Sequence, residues 1–165
     1  MGGLGHMGVQ LAAAMGAEVS VISHGRSKEA DARQFGATAF YATAEEGTIE
    51  SLDSSFDLII CTVSADDLDY PGLIRALKPF GVFVDVGLPE NPMVIPMRAV
   101  VNGNKVVAGS QIGGIAETQE MLEFCAQHGV RPVTEIIDGE SITEAYDKVV
   151  ASKVRYRFVI DTSTF

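Results

Sequence analysis

The residues best suited to chemistry stand at the start of the chain, where Gly2, Gly3, Gly5 and Gly8 form a glycine-rich run. Glycine lets the backbone turn tightly, and it lets a bulky anion approach the amide groups at a helix start. Gly3, Gly5 and Gly8 match the G-x-G-x-x-G pattern by themselves, although the buried strand that leads into such a pattern is not visible before them. The run therefore predicts a phosphate-binding turn.

A second candidate group follows about 20 positions later, where dinucleotide-binding folds contact the adenosine ribose. Positions 23–28 contain no acidic residue, whereas a site for NAD would place Asp or Glu there. Hydroxyls and positive charge suit a 2′-phosphate instead. The stretch therefore favours NADP, the alternative being a solvated surface loop. Its residues are Ser23, His24, Gly25, Arg26, Ser27 and Lys28.

The remaining cysteines and histidines form no recognisable catalytic or metal-binding set. Cys61 and Cys125 lie far apart in the sequence, which favours free thiols in a reducing cytoplasm. His6, His24 and His128 are isolated from one another and from any nucleophile, so structural or surface roles are expected for them. We therefore predict no catalytic residue and no metal ligand in the chain.

Charge and hydropathy exclude several classes of partner. A net charge of −10 makes the chain a poor nucleic-acid binder and gives it no attraction to anionic membranes. No apolar run approaches the roughly 20 residues that a membrane span requires. The composition, 47% apolar and 21% charged, is that of an ordinary globular protein.

Hydrophobic periodicity predicts an alternation of strands and helices that must position these groups. Such an order argues for a doubly wound parallel sheet of the α/β class. Helices are predicted at 5–15, 28–35, 66–77, 116–127 and 142–151. Strands are predicted at 18–23, 38–42, 57–63, 82–86, 105–108, 133–137 and 158–160, with a short extended piece at 93–95.

Two segments carry predictions about burial. The continuous apolar run at 57–63 is typical of a strand buried on both faces. The helix at 116–127 presents Met121, Leu122, Phe124 and Cys125 on one face, which predicts a core contact, a ligand groove being the alternative.

Four segments together resemble the C-terminal half of zinc-dependent medium-chain alcohol dehydrogenases, in the NADP-dependent branch similar to cinnamyl alcohol dehydrogenases. They read GGLGHMG, VVAGSQIGG, ETQEMLEFC and KVRYRFVID, and they occur in the family's order and spacing. The resemblance implies a Rossmann cofactor domain at 1–130 and a tail at 131–165 that returns to the catalytic domain. It also implies hydride transfer between NADP and a primary alcohol or aldehyde.

The resemblance implies a different reading of the glycine run. His6 and Met7 match residues that follow the family's fingerprint, so Gly2 and Gly5 stand for its second and third glycines. The first glycine and the strand before it would fall ahead of Met1. On this reading the cofactor diphosphate lies against Gly2, Gly3, Leu4 and Gly5.

Further cofactor positions are implied one by one. Thr62 resembles a threonine near the cofactor, and Gly87 a glycine whose small size admits the nicotinamide riboside. Ser110, Gln111 and Ile112 resemble the backbone segment that binds the carboxamide, with Gln111 in place of the usual aromatic residue. Arg157 resembles an arginine that reaches the cofactor phosphates, whereas Gly25 stands where the family has a second serine.

The resemblance also implies what the chain lacks. The family's zinc ligands, a cysteine, a His-Glu pair and a second cysteine, all correspond to positions ahead of the glycine run. Without zinc to polarise the alcohol oxygen we expect no turnover by this chain alone. The alternative is a non-catalytic NADP-binding or regulatory module, and a methyltransferase-like enzyme is disfavoured because 23–28 lacks an acidic residue.

A Rossmann sheet without its central first strand would fall into two pieces with unpaired edges. There are three ways to close the gap. The sequence is a fragment and the remaining segments of the longer chain fill it, another copy donates a strand, or the tail strands at 133–137 and 158–160 fold back into it. The strand at 105–108 resembles the family's dimer contact, which predicts a homodimer.

Overall fold

The computed structural model describes residues 1–165, along which helices and strands alternate. None of the helices is long and apolar enough to cross a membrane. The helices are α1 Gly5–Ala14, α2 Glu29–Gln34, α3 Thr48–Ser51, α4 Tyr70–Ala76, α5 Met97–Val101, α6 Ile115–His128 and α7 Ile142–Val150. The strands are β1 Ser20–Ser23, β2 Ala39–Ala42, β3 Phe56–Cys61, β4 Leu77–Asp85, β5 Val106–Gly109, β6 Thr134–Ile137 and β7 Arg157–Ile160. Short 3-10 helices occupy Arg26–Lys28 and Thr162–Thr164.

The strands form three sheets, with the orders β1-β2, β3-β4-β5 and β6-β7. The second and third sheets are parallel throughout. The first is parallel too, because the Thr38 amide donates to Val19 O at one end and the Thr43 amide to Ser23 O at the other. The predicted α/β class with parallel strands is therefore confirmed.

The chain divides into two compact units. The first comprises 1–21, 28–40 and 116–165, and the second comprises 22–27 and 41–115. The predicted domain boundary after residue 130 does not coincide with this division, which groups α6 with the tail, and it stays a prediction.

The core of the first unit holds α1 and α2 against the ends of β1 and β2. Its buried residues are Val9, Val21, Ala32, Ala37 and Phe40. Gly36 ends α2 with a φ of +106°, and a Cβ built on it would lie 2.7 Å from the Cβ of Ala13. The close approach and the positive φ both require glycine here, as the predicted helix stop suggested.

The core of the second unit lies between α4 and the sheet β3-β4-β5. Ile74, Leu77 and Phe83 are completely buried there, and Tyr70 meets Phe83 edge to face with ring centroids 6.1 Å apart. Helix α4 starts at a cap, because the Asp69 carboxylate accepts a hydrogen bond of 2.9 Å from the Gly72 amide. This cap and Pro71 move the helix start to Tyr70, four residues after the predicted start.

The tail strands β6 and β7 pair with each other, from Thr134 opposite Arg157 to Ile137 opposite Ile160. Neither belongs to the sheet β1-β2 or to the sheet β3-β4-β5. The tail strands therefore do not pair with the strands of the divided sheet, which was one of the three possibilities considered.

Strand β4 and helix α5 depart from the sequence prediction. The expected turn at 79–81 lies inside β4 as an irregularity of pairing, since Phe56 faces Leu77 whereas Leu58 faces Val82. Residues 93–95 form no strand. Helix α5 was not predicted, although Pro96 directly before it is a recognised start signal.

Two burial predictions are wrong. Leu58 and Ile60 of β3 are 52% and 53% exposed, so this strand is buried on one face only. Helix α6 has no buried residue, and Met121 and Leu122 of its apolar face are 39% and 54% exposed. Phe124 and Cys125, the other two residues of the predicted face of α6, are half-buried.

Phe83→Ala should lower the free energy of unfolding of the second unit by about 3–5 kcal/mol, because the ring is completely buried. Phe80→Ala is the matched control, since Phe80 belongs to the same strand and is 73% exposed. Its effect should stay below about 0.5 kcal/mol. Urea denaturation followed by circular dichroism measures both values. Equal losses for the two variants would contradict the described core.

Candidate functional site

The glycine run folds as the start of helix α1. The His6 amide donates to Gly2 O at 2.9 Å and the Gly8 amide donates to Leu4 O at 2.9 Å. The amides ahead of His6 are those that a helix N-terminus leaves without helical partners, and the helix dipole adds partial positive charge. A diphosphate suits such a turn. Binding at Gly2, Gly3, Leu4 and Gly5 stays a prediction.

Arg157, at the start of β7, lies beside this turn. Its Nη2 donates to Gly3 O at 3.4 Å, and a Cβ built on Gly3 would lie 3.5 Å from Tyr156 O. The structure therefore brings together two parts of the chain that the sequence assigned separately to the cofactor phosphates. The phosphate contact of Arg157 itself stays a prediction.

Lys28 lies at the same turn. Its Nζ donates to Met1 O at 2.9 Å and stands 5.6 Å from the ring centroid of Tyr156, a cation–π contact. Burial, aided by the Arg155 guanidinium, lowers the pKa of the Lys28 ammonium. Lys28 is the last residue of the stretch predicted to bind the ribose, and it belongs to the first unit. Its side chain contacts the glycine turn of that unit.

The hydroxyl of Tyr156 is held by Asp31. This hydroxyl donates to Asp31 Oδ2 at 2.5 Å, and Arg155 Nη1 donates to the same oxygen at 2.6 Å. Burial, followed by the hydrogen bond to Asp31, raises the pKa of Tyr156 to about 12. The phenol therefore stays neutral at physiological pH. The Tyr156 ring and the Asp31 carboxylate are therefore both part of the environment of the Lys28 ammonium.

His6 is completely buried and joins the turn to the tail. Its Nε2 accepts from the Val133 amide at 3.2 Å, its Nδ1 lies 3.3 Å from Gly2 O, and its ring stacks on Tyr156 at 4.8 Å. Burial lowers the pKa of its imidazole. His6 thus has a structural role, as expected for an isolated histidine.

In the second unit, the loop at 23–27 lies next to the segment after β2. The Thr43 amide donates to Ser23 O and the Ala44 amide to His24 O, each at 2.9 Å. Arg26 Nε and Nη2 donate to the two Glu45 carboxylate oxygens at 2.5 and 2.8 Å. The structure thus brings an acidic group to a loop whose own sequence has none.

The carboxyl ends of β3, β4 and β5 lie in register, since Cys61 faces Asp85 and Asp85 faces Gly109. Three of the predicted cofactor positions, Thr62, Gly87 and Ser110, therefore follow strands that end at one edge of the sheet, where open α/β sheets bind ligands. The Ser110 amide donates to Asp85 O at 3.2 Å, and the next residues of the segment, Gln111 and Ile112, are exposed.

Gly87 has a packing requirement of its own. A Cβ built on it would lie 2.2 Å from Val63 O, and its amide donates to Asp85 Oδ1 at 2.8 Å. The need for glycine thus arises from close packing against the segment that follows β3, and the further role of admitting a cofactor stays a prediction.

Sequence reasoning missed Asp31, Tyr156 and Glu45. A sequence signal existed for Tyr156, because arginines favour the surface and an aromatic residue between two of them is a candidate for burial. No spacing rule connects Asp31 or Glu45 with its partner, since each contact joins separate elements.

No group of three or more His, Cys, Asp and Glu side chains of the chain comes together to hold a metal ion. The zinc set that the resemblance implies therefore does not fit the residues present. Cys61 and Cys125 are free thiols, and burial raises the pKa of Cys61. The donors at the glycine turn and in the loop at 23–28 do suit the phosphates of a dinucleotide.

Comparison with known proteins gives a family and several close relatives. The family described as zinc-binding dehydrogenase matches residues 3–127. An NADP-dependent alcohol dehydrogenase C of Mycobacterium bovis is 52% identical over 163 residues, which are 99% of this chain and 47% of that protein. Cinnamyl alcohol dehydrogenase 2 of Arabidopsis thaliana is 44% identical over 164 residues, 99% of this chain and 43% of that protein.

Solved structures agree with these relatives. A cinnamyl alcohol dehydrogenase from Sorghum bicolor matches with a TM-score of 0.93 and 39% identity, over 98% of this chain and 46% of that chain. The Helicobacter pylori cinnamyl alcohol dehydrogenase complexed with NADP(H) matches with a TM-score of 0.87 and 37% identity, over 98% and 46%. The chain thus spans about half the length of the relatives it matches.

The first unit should lose stability as the pH falls below about 6.5, the ordinary pKa of histidine. Because the pKa of folded His6 is lower, the unfolded chain binds this proton more tightly, and protonation also removes the acceptor of the Val133 amide. Melting temperatures between pH 7.5 and 5 measure the loss, which His6→Gln should reduce. His24→Gln is the matched control and should behave like the wild type. An unchanged slope in His6→Gln would contradict this role.

Proposed function

The chain belongs to the zinc-binding dehydrogenase family, and on that premise we propose that it is the NADP-binding domain of an alcohol dehydrogenase. The proposed parent reaction is hydride transfer between NADP and a primary alcohol or aldehyde. The observation that carries the proposal is the glycine turn with two cations on its backbone. Lys28 Nζ lies 2.9 Å from Met1 O, and Arg157 Nη2 lies 3.4 Å from Gly3 O.

The chain's own residues would hold the cofactor in three groups. The amides of the glycine turn and Arg157 would bind the diphosphate, because a helix N-terminus and a guanidinium both favour it. Lys28, Arg26 and the hydroxyls of the 23–28 loop would bind the 2′-phosphate. Thr62, Gly87 and the segment from Ser110 to Ile112 would orient the nicotinamide side. When bound, NADPH would supply the hydride and NADP⁺ would accept it.

We further propose that the protein acts as a homodimer in the cytoplasm. Strand β5 supports the first point, because it pairs only with β4 and its four residues are exposed. The two free cysteines support the second, since a reducing compartment keeps thiols unpaired.

The pure chain should bind NADPH more tightly than NADH, which a fluorescence titration with each nucleotide measures. Lys28→Met should weaken NADPH binding roughly 10- to 100-fold and weaken NADH binding clearly less, because only NADPH loses a charge-assisted contact to the 2′-phosphate, whereas both lose the hydrogen bond that Lys28 gives to Met1 O. Arg157→Met should weaken both by a similar factor, since both carry the diphosphate. Lys153→Met, an exposed lysine of the tail, is the matched control. Absence of binding by the wild type would refute the proposed function.

We expect the 165-residue chain alone to reduce no aldehyde with NADPH at a measurable rate. The residues present do not fit a zinc site, so nothing in the chain would polarise the carbonyl oxygen. The assay follows NADPH absorbance with an aromatic aldehyde and added zinc, with a complete zinc-dependent alcohol dehydrogenase as the positive control. Zinc-dependent turnover by the pure chain would overturn this expectation.

A further inference from the structure

The position of Glu45 is built into the backbone. The amides of Thr43 and Ala44 donate to the carbonyls of Ser23 and His24, which extends the β1-β2 pairing past the end of both strands. The Glu45 amide then donates to Ala42 O at 3.1 Å, and the Thr48 amide donates to Glu45 O at 3.2 Å. Glu45 therefore stands beside the ribose-binding loop because the chain holds it there.

The side chain of Glu45 engages Arg26 through both carboxylate oxygens. The distances of 2.5 and 2.8 Å describe a two-point contact between the guanidinium fork and the carboxylate. Each side chain is 50% exposed, so both remain accessible to a ligand. The hydrogen bond from Arg26 lowers the pKa of Glu45, which keeps the carboxylate ionised at neutral pH.

We propose that Glu45 is a specificity-determining residue that competes with the 2′-phosphate of NADP for Arg26. The inference rests on the proposed function and deepens it. A phosphate uses the same planar fork of donors as a carboxylate, so the Nε edge of Arg26 that holds Glu45 is the edge that a phosphate would take.

Charge makes the competition specific for NADP. A phosphate monoester carries between one and two negative charges at neutral pH, and a carboxylate held at the same loop repels it. NADH has a hydroxyl in place of this phosphate, and a carboxylate accepts a hydrogen bond from that hydroxyl. Glu45 therefore narrows the difference in affinity between NADPH and NADH, supplying from outside the loop the acidic group that positions 23–28 lack.

Glu45→Gln tests this idea by a gain of affinity, which structural damage does not produce. NADPH should bind about two- to tenfold more tightly, given the small strength of an exposed ion pair and the repulsion that is relieved. The affinity for NADH should stay the same or fall. Glu46→Gln is the matched control, because it removes the same charge from the neighbouring exposed residue and should change either affinity less than twofold.

The Arg26→Met background separates competition from repulsion alone. There the gain from Glu45→Gln should shrink, because no guanidinium is released, and it should also shrink at high salt in the wild-type background. Equal gains with and without Arg26, equal effects of the Glu45 and Glu46 variants, or weaker NADPH binding by Glu45→Gln would each overturn the inference while leaving the proposed function intact. A wild type that binds neither nucleotide would overturn both.

Discussion

The arrangement of the first unit depends on the burial of one neutral imidazole. His6 belongs to the glycine turn, yet its Nε2 accepts a hydrogen bond from the tail at Val133 and its ring stacks on Tyr156. Because that stack fixes Tyr156, it also fixes what lies on either side of the ring, with Lys28 over one face and Asp31 at the hydroxyl. The tail thus helps to define the glycine turn, which is 127 residues away from it in sequence.

The two candidate cations for the 2′-phosphate have different surroundings, and this difference governs how each can act. Lys28 is partly buried between a carbonyl and an aromatic face, and the nearby Asp31 carboxylate attracts its charge. Arg26 is half exposed and paired with Glu45, so a ligand must displace or share that partner. The loop at 23–28 therefore offers one cation held by a carbonyl and an aromatic ring, and one cation paired with a carboxylate.

The sequence predicted secondary-structure elements well where they depend on neighbouring residues alone. The strand ends that carry Thr62, Gly87 and Ser110 follow from apolar runs, and their common edge follows from parallel pairing. Burial was predicted poorly for Leu58, Ile60 and Leu122, because periodicity identifies an apolar face but not what covers it. The contacts of Asp31 and Glu45 were invisible for a related reason, since each depends on how separate segments meet.

The open edges of β3 and β5 have a consequence for the behaviour of the protein in solution. Each is an end strand, and Leu58, Ile60 and Val106 leave apolar surface next to unpaired backbone groups. Such edges recruit strands from other molecules, which leads to aggregation. At neutral pH the net charge of −10 opposes association beyond a dimer. Near the isoelectric point of about 4.6 that repulsion vanishes, so acidification favours further association through these edges.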